Sequence, residues 1–154
     1  MSTRPELYCY SVDADIVSIW AAIVSPAEIP DDYIADKFPR EWYEPQNQFC
    51  GDFLMTGYDE DRVEAYALDD HRIVDISELI IPEWSSYCES FREEAVRRSR
   101  EVGVDRTSWV FAIYNFHYDP VRSGISESRC MRFVGAFPFV FDLPEYIRNM
   151  GSIE

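Results

Sequence analysis

Residues able to do chemistry are concentrated in one stretch of this chain. From Asp59 to Asp75 stand seven acids and two arginines, a local charge of −5. Asp59, Glu60, Asp61, Glu64, Asp69 and Asp70, followed by His71, offer enough carboxylate oxygen to attract a hard cation. Loops that hold such cations also need fixed ligand offsets, a turning glycine and a closing glutamate. Val63 stands where the third ligand would fall, so no metal and no cofactor is assigned. Two readings of the cluster remain: a solvated acidic surface, or one turned toward a cationic partner. Carboxylates gathered on one edge or loop focus a field that speeds encounter with a basic surface and filters wrong partners. Tyr58 and Tyr66, with Trp42 and Tyr43 nearby, are aromatics able to supply the desolvated anchors of such a contact.

Other chemistry finds little material. There is no phosphate-binding glycine loop, no dinucleotide fingerprint and no Gly-x-Ser-x-Gly elbow, and with six glycines a phosphate cradle is hard to build. Cys9, Cys50, Cys88 and Cys130 are widely spaced and lie far from His71 and His117. They read as buried thiols of a reducing compartment, not as zinc ligands. His117, between Phe116 and Tyr118, reads as a structural residue at a strand end. The residues Met1 to Glu6 lack the apolar core of a secretory signal. The longest nearly apolar run, Ile16 to Val24, is too short for a membrane helix. A cytoplasmic, non-enzymatic protein is therefore expected.

The whole chain has 154 residues, 14 Lys+Arg against 29 Asp+Glu, and a formal charge of −15. That charge argues against nucleic acid and anionic lipid as partners, which carry the same sign. It is also lopsided, −12 over residues 1–77 and −3 over residues 78–154, so any electrostatic contact belongs to the first half.

The elements that must position these residues follow from pattern. Residues 12–24 carry Val12, Ile16, Val17, Ile19, Trp20, Ile23 and Val24, the composition of a central strand. Ser25, Pro26 and Glu28 spell a capping box, with an alternative helix from Pro30 to about Lys37. A short helix is expected around Phe49 to Leu54. A strand is expected near residues 62–68, exposed on one face, with a turn at Asp69 and Asp70. One helical turn is expected from Ser77 to Ile81. Ser86 and Glu89 form a second capping box for a helix over residues 86–102, stopped by Gly103. Arg97, Arg98 and Arg100 in its last turns read as macrodipole compensation on a solvated face. Strands from Trp109 to Tyr118 and Cys130 to Phe141, joined by Asp119, Pro120, Ser123 and Gly124, predict a C-terminal antiparallel hairpin. The sum is one α+β domain over residues 1–154, a mainly antiparallel sheet with helices packed on one face. Trp20, Phe91, Phe116 and Phe133 read as fold determinants.

Taken in order, several segments resemble the immunity protein 22 family of bacterial polymorphic toxin systems. They are Val17 to Trp20, Phe49 to Phe53 leading into Tyr58, Asp59, Glu60, Asp61 and Glu64, then Ser86 to Phe91. Tyr114 to Asp119 and Phe133, Val134, Gly135 complete a similar core over roughly residues 12–140. The chain departs from the family at Ala21 and Ala22, where a glycine is frequent, and between Pro39 and Pro45. A shorter likeness, Ile29 to Tyr33, is to another immunity superfamily, related to a yeast cell-wall regulator. The larger resemblance implies a cytoplasmic antidote that binds a cognate toxin's catalytic domain, often a nuclease with a basic surface. Tyr58, Asp59, Glu60, Asp61, Glu64, Tyr66, Asp69 and Asp70 are the contact residues expected. An acidic adaptor or nucleic-acid mimic is the alternative reading.

Overall fold

An apolar run that is β-branched and aromatic, such as Ile16–Ala22, has both faces to bury and belongs inside a sheet. A computed structural model of the chain describes residues 10–11 and 15–140. In chain order its strands are β1 (Tyr10–Ser11), β2 (Ile16–Ala22), β3 (Val63–Tyr66), β4 (Val74–Asp75), β5 (Arg106–Thr107), β6 (Val110–Tyr114), β7 (His117–Tyr118) and β8 (Met131–Pro138). The α-helices are α1 (Gln48–Asp52), α2 (Arg92–Glu101) and α3 (Pro120–Ser123). The main sheet runs β3-β6-β2-β8 with every neighbouring pair antiparallel, so the fold is α+β as expected.

The strands β6 and β8 do not pair with each other: β2 lies between them. The expected C-terminal hairpin is therefore corrected. Both strands run antiparallel to β2 and hence parallel to one another, which a tight turn cannot connect. Residues 115–130 make the crossover. They begin at Asn115, whose left-handed backbone (φ 57°) divides the expected 109–118 strand into β6 and β7. The buried hydroxyl of Ser18 fixes that start, donating to the Phe116 carbonyl at 2.7 Å and accepting from the Tyr118 amide at 3.0 Å.

Helices cover both faces of the sheet, not one. Val17, Ile19 and Ala21 share a core with Phe91 and Ala95 on the side of α2. Trp20 faces the other way, with Phe49, Phe53, Tyr118 and Phe133 around it at ring-centroid distances of 5.0–5.8 Å. The α1 helix belongs to that second core. The physical reason is β2 itself, apolar on both faces and needing two covers. Trp20, Phe91, Phe116 and Phe133 are all buried.

Two helix expectations also change. The α2 helix begins at Arg92, after a 3-10 turn at Cys88–Ser90, because the Ser86 hydroxyl is engaged by Glu64 instead of capping. Residues 30–37 form turns, while Ser25 and Glu28 do make their capping box on the 3-10 turn Pro26–Glu28. Cys50, Cys88 and Cys130 are free and buried; Cys9, Val12 and Phe141 lie outside the described residues.

Candidate partner-binding face

The acidic stretch is distributed along one edge strand. Asp59 caps the 3-10 turn Glu60–Arg62, its carboxylate accepting from the Asp61 amide at 2.9 Å. That turn leads into β3, and Asp69 and Asp70 turn the chain beyond it. The carboxylates thus form two exposed groups, Asp59–Asp61 at the start of β3 and Asp69–Asp70 past its end.

Glu64 stands between the two groups but does a different job. Its Oε1 accepts from the Tyr66 hydroxyl at 3.0 Å, the Tyr114 hydroxyl at 2.8 Å and the Ser86 amide at 3.2 Å. Its other oxygen takes the Ser86 hydroxyl. Four donors tie this carboxylate to the fold, and little of its charge is left for a partner. Tyr66 is wholly buried, bonded also to Ser85, and burial holds its phenol far above the usual range. An anchor must be exposed before binding, so Tyr66 is corrected from anchor to core residue. Tyr58 is half-buried; its ring meets Phe111 edge-on at 5.7 Å, and its hydroxyl accepts from Asn47 at 2.9 Å.

One residue that the sequence did not offer joins the first group. Gln46, buried, donates its amide to Asp36 at 2.8 Å and to Glu60 at 3.3 Å, and accepts the Tyr58 amide at 2.9 Å. It thereby draws Asp36 and Glu60 together. Their mutual contact holds the Asp36 carboxyl below the usual range and pushes that of Glu60 up. Asp36, Arg40, Gln46, Tyr58, Asp59, Glu60 and Asp61 line an open hollow of about 390 Å³. In the same loop Trp42 is 71% exposed, resting edge-on against Tyr43 at 5.6 Å. Asp36 is 24 positions from Glu60 in the chain, and only the turned segment 30–46 brings it across.

At the far end, Asp70 pairs with Arg72 at 2.9 Å, and Arg72 draws its carboxyl below the usual range. Asp69 makes no ion pair among the described residues. The arginines of α2 are occupied. Arg97 pairs with Glu94 and Glu101, Arg98 with Glu101, and Arg100 with Asp75 and Asp105.

Among the described residues no three His, Cys, Asp or Glu side chains converge as a metal site. Burial pushes the Cys50 thiol up to about 12 and raises those of Cys88 and Cys130, which leaves them poor nucleophiles at neutral pH. No helix among the described residues is long and apolar enough to cross a membrane. The described residues thus present a charged, aromatic-bearing surface along one edge of the sheet. No curated protein and no solved structure matches the chain. The family described as Immunity protein 22 matches residues 17–140, most of its length and every strand of the main sheet except the first residue of β2. This chain belongs to the immunity protein 22 family.

Proposed function

We propose that this protein is a cytoplasmic antidote that neutralises a cognate bacterial toxin by forming a tight one-to-one complex with its catalytic domain. The toxin is a basic nuclease. The contact is the acidic edge: Asp59, Glu60 and Asp61 with Asp36 around the hollow, Asp69 and Asp70 beyond β3, and Tyr58 and Trp42 as aromatic anchors. The observation that carries this reading is exposed carboxylate charge at both ends of one edge strand in a member of an immunity family. A nuclease needs a cationic surface to hold phosphates, and such a surface is the electrostatic complement of this edge.

The experiment pairs the chain with the C-terminal catalytic domain of the toxin encoded beside it. Growth rescue on co-expression tests the class. Association kinetics with Asp59, Glu60, Asp61, Asp69 and Asp70 replaced by Asn or Gln test the surface. Association should slow by on the order of tenfold at low salt and lose most of its salt dependence. Full protection with unchanged kinetics would refute the surface while leaving the class intact.

A further inference from the structure

We infer that the outer edge of β3 is a strand-pairing site for an extended, basic segment of the toxin, with an adjoining groove that receives one of its apolar side chains. This rests on the antidote reading and specifies how the partner is held.

Register fixes which backbone groups of β3 are open. In an antiparallel sheet successive residues of a strand bond alternately to one neighbour and the other. Trp109 accepts from Ala22 of the β2 side at 2.9 Å, so Phe111 and Ile113 turn the same way and Val110 and Ala112 turn toward β3. Their partners there are Tyr66 and Glu64. The N–H and C=O groups of Ala65, and of Ala67 by continuation, therefore point away from the sheet. Among the described residues none accepts from or donates to them. An open edge of this kind is a template for another strand.

Beside it lies a groove of about 480 Å³, lined by Ile29, Ile34 and Trp109 and by the small side chains of Ala65 and Ala67. Residues 65 and 67 share a face, so a strand laid along the edge sends alternate side chains over the groove. Ser108 also lines it. The residue is 2% exposed, its hydroxyl has no hydrogen-bond partner among the described residues, and it also borders the adjoining cavity at Ala22, Thr107 and Arg132. A buried hydroxyl without a partner is costly and rare, and in this proposal a polar atom of the occupant satisfies it as the groove fills.

Charge selects the occupant. Asp31 lines the groove, Asp32 follows it, and Asp69 and Asp70 close the far end of β3. Of these four, only Asp70 has an ion-pair partner among the described residues. A second copy of this chain would set the same acids against themselves and add a further −15. A segment carrying Lys or Arg beside an apolar residue fits both the rim and the groove.

Amide hydrogen exchange on the full chain, free and with the toxin's catalytic domain, tests this directly. The Ala65 and Ala67 amides should exchange fast in the free chain and about tenfold or more slower in the complex. Ala67→Trp, which fills the groove from an already half-exposed position, should weaken binding at least about tenfold with an unchanged melting temperature. Ser108→Ala, which removes the orphaned hydroxyl, should keep or raise stability and weaken binding. A tight complex with unaltered exchange at Ala65 and Ala67 overturns the edge site and leaves the antidote reading standing. Slow exchange in the free chain, or a homodimer protecting the same amides, also overturns it. Failure of the wild-type chain to bind the toxin domain overturns both readings.

Discussion

The Tyr114 phenol donates to the Glu64 carboxylate at 2.8 Å, a diagonal pair across β3 and β6 that closes a ring with Tyr66 and Ser85. A carboxylate that accepts four donors at a sheet edge is a fastening. Glu64→Gln puts an amide N–H₂ where donors already converge, and should lower stability by about 1–3 kcal/mol. Urea unfolding measures it. An unchanged midpoint, together with slowed toxin association, would return Glu64 to the contact surface.

Gly57 packs against Gln46 so closely that a Cβ there would stand 2.7 Å from Gln46 Oε1. That oxygen holds the Tyr58 amide, and the other end of the same side chain holds Asp36 and Glu60. Gly57→Ala should destabilise by about 1–3 kcal/mol through overpacking. In a Gln46→Ala background the same change should cost much less. A double-mutant cycle with no coupling between the two positions would contradict the contact.

At alkaline pH the tyrosines decide the outcome. Burial raises the phenols of Tyr33, Tyr58, Tyr66 and Tyr114 above the usual value of 10.0. Their folded pKa exceeds the unfolded one, so their contribution is complete below pH 10.0 and is lost as pH rises beyond it. Stability should fall steeply above that point, and phenolate absorbance should rise cooperatively with unfolding. Smooth ionisation of all tyrosines in a folded chain would contradict their burial.

On the acid limb Asp75 is the carboxyl held furthest down among the described residues. Arg100 grips Asp75 with two nitrogens at 3.0 and 3.1 Å, and with Ser77 it drives the Asp75 carboxyl far below the usual 3.8. A depressed carboxylate stabilises above its unfolded pKa, and that stabilisation disappears as pH falls below about 3.8. Asp75→Asn should therefore flatten the stability profile between roughly pH 4 and pH 2. A profile as steep as the wild type would assign the acid sensitivity elsewhere.

What the sequence made legible is what neighbouring residues decide. The apolar Ile16–Ala22 run announced a central strand, and Ser25, Pro26 and Glu28 announced a capping box that forms. Ser86 and Glu89 have the same spacing signal, but Glu64 claims the Ser86 hydroxyl across 22 positions, and no local pattern reveals such a competitor. The hairpin reading failed for a related reason. Turn residues between two strands show that the chain reverses or crosses, and say nothing of a third strand inserted between them. The acids were visible; their division into a fastening (Glu64), a buried-amide pair (Asp36 with Glu60) and exposed charge was not, because it depends on partners 10 to 50 positions away.

The placement of β2 between β6 and β8 has a consequence for synthesis. Val17 pairs with Tyr114 on one side and Phe137 on the other, so the earliest strand of the sheet waits for the latest ones. Until residue 138 has left the ribosome, β2 lacks one neighbour and Trp20 lacks Phe133. Pairings this distant in the chain slow folding and keep the edge exposed to chaperones and proteases meanwhile. Newly made copies therefore complete their central strand only once β8 has emerged, and the last pairing is a slow search across the whole domain.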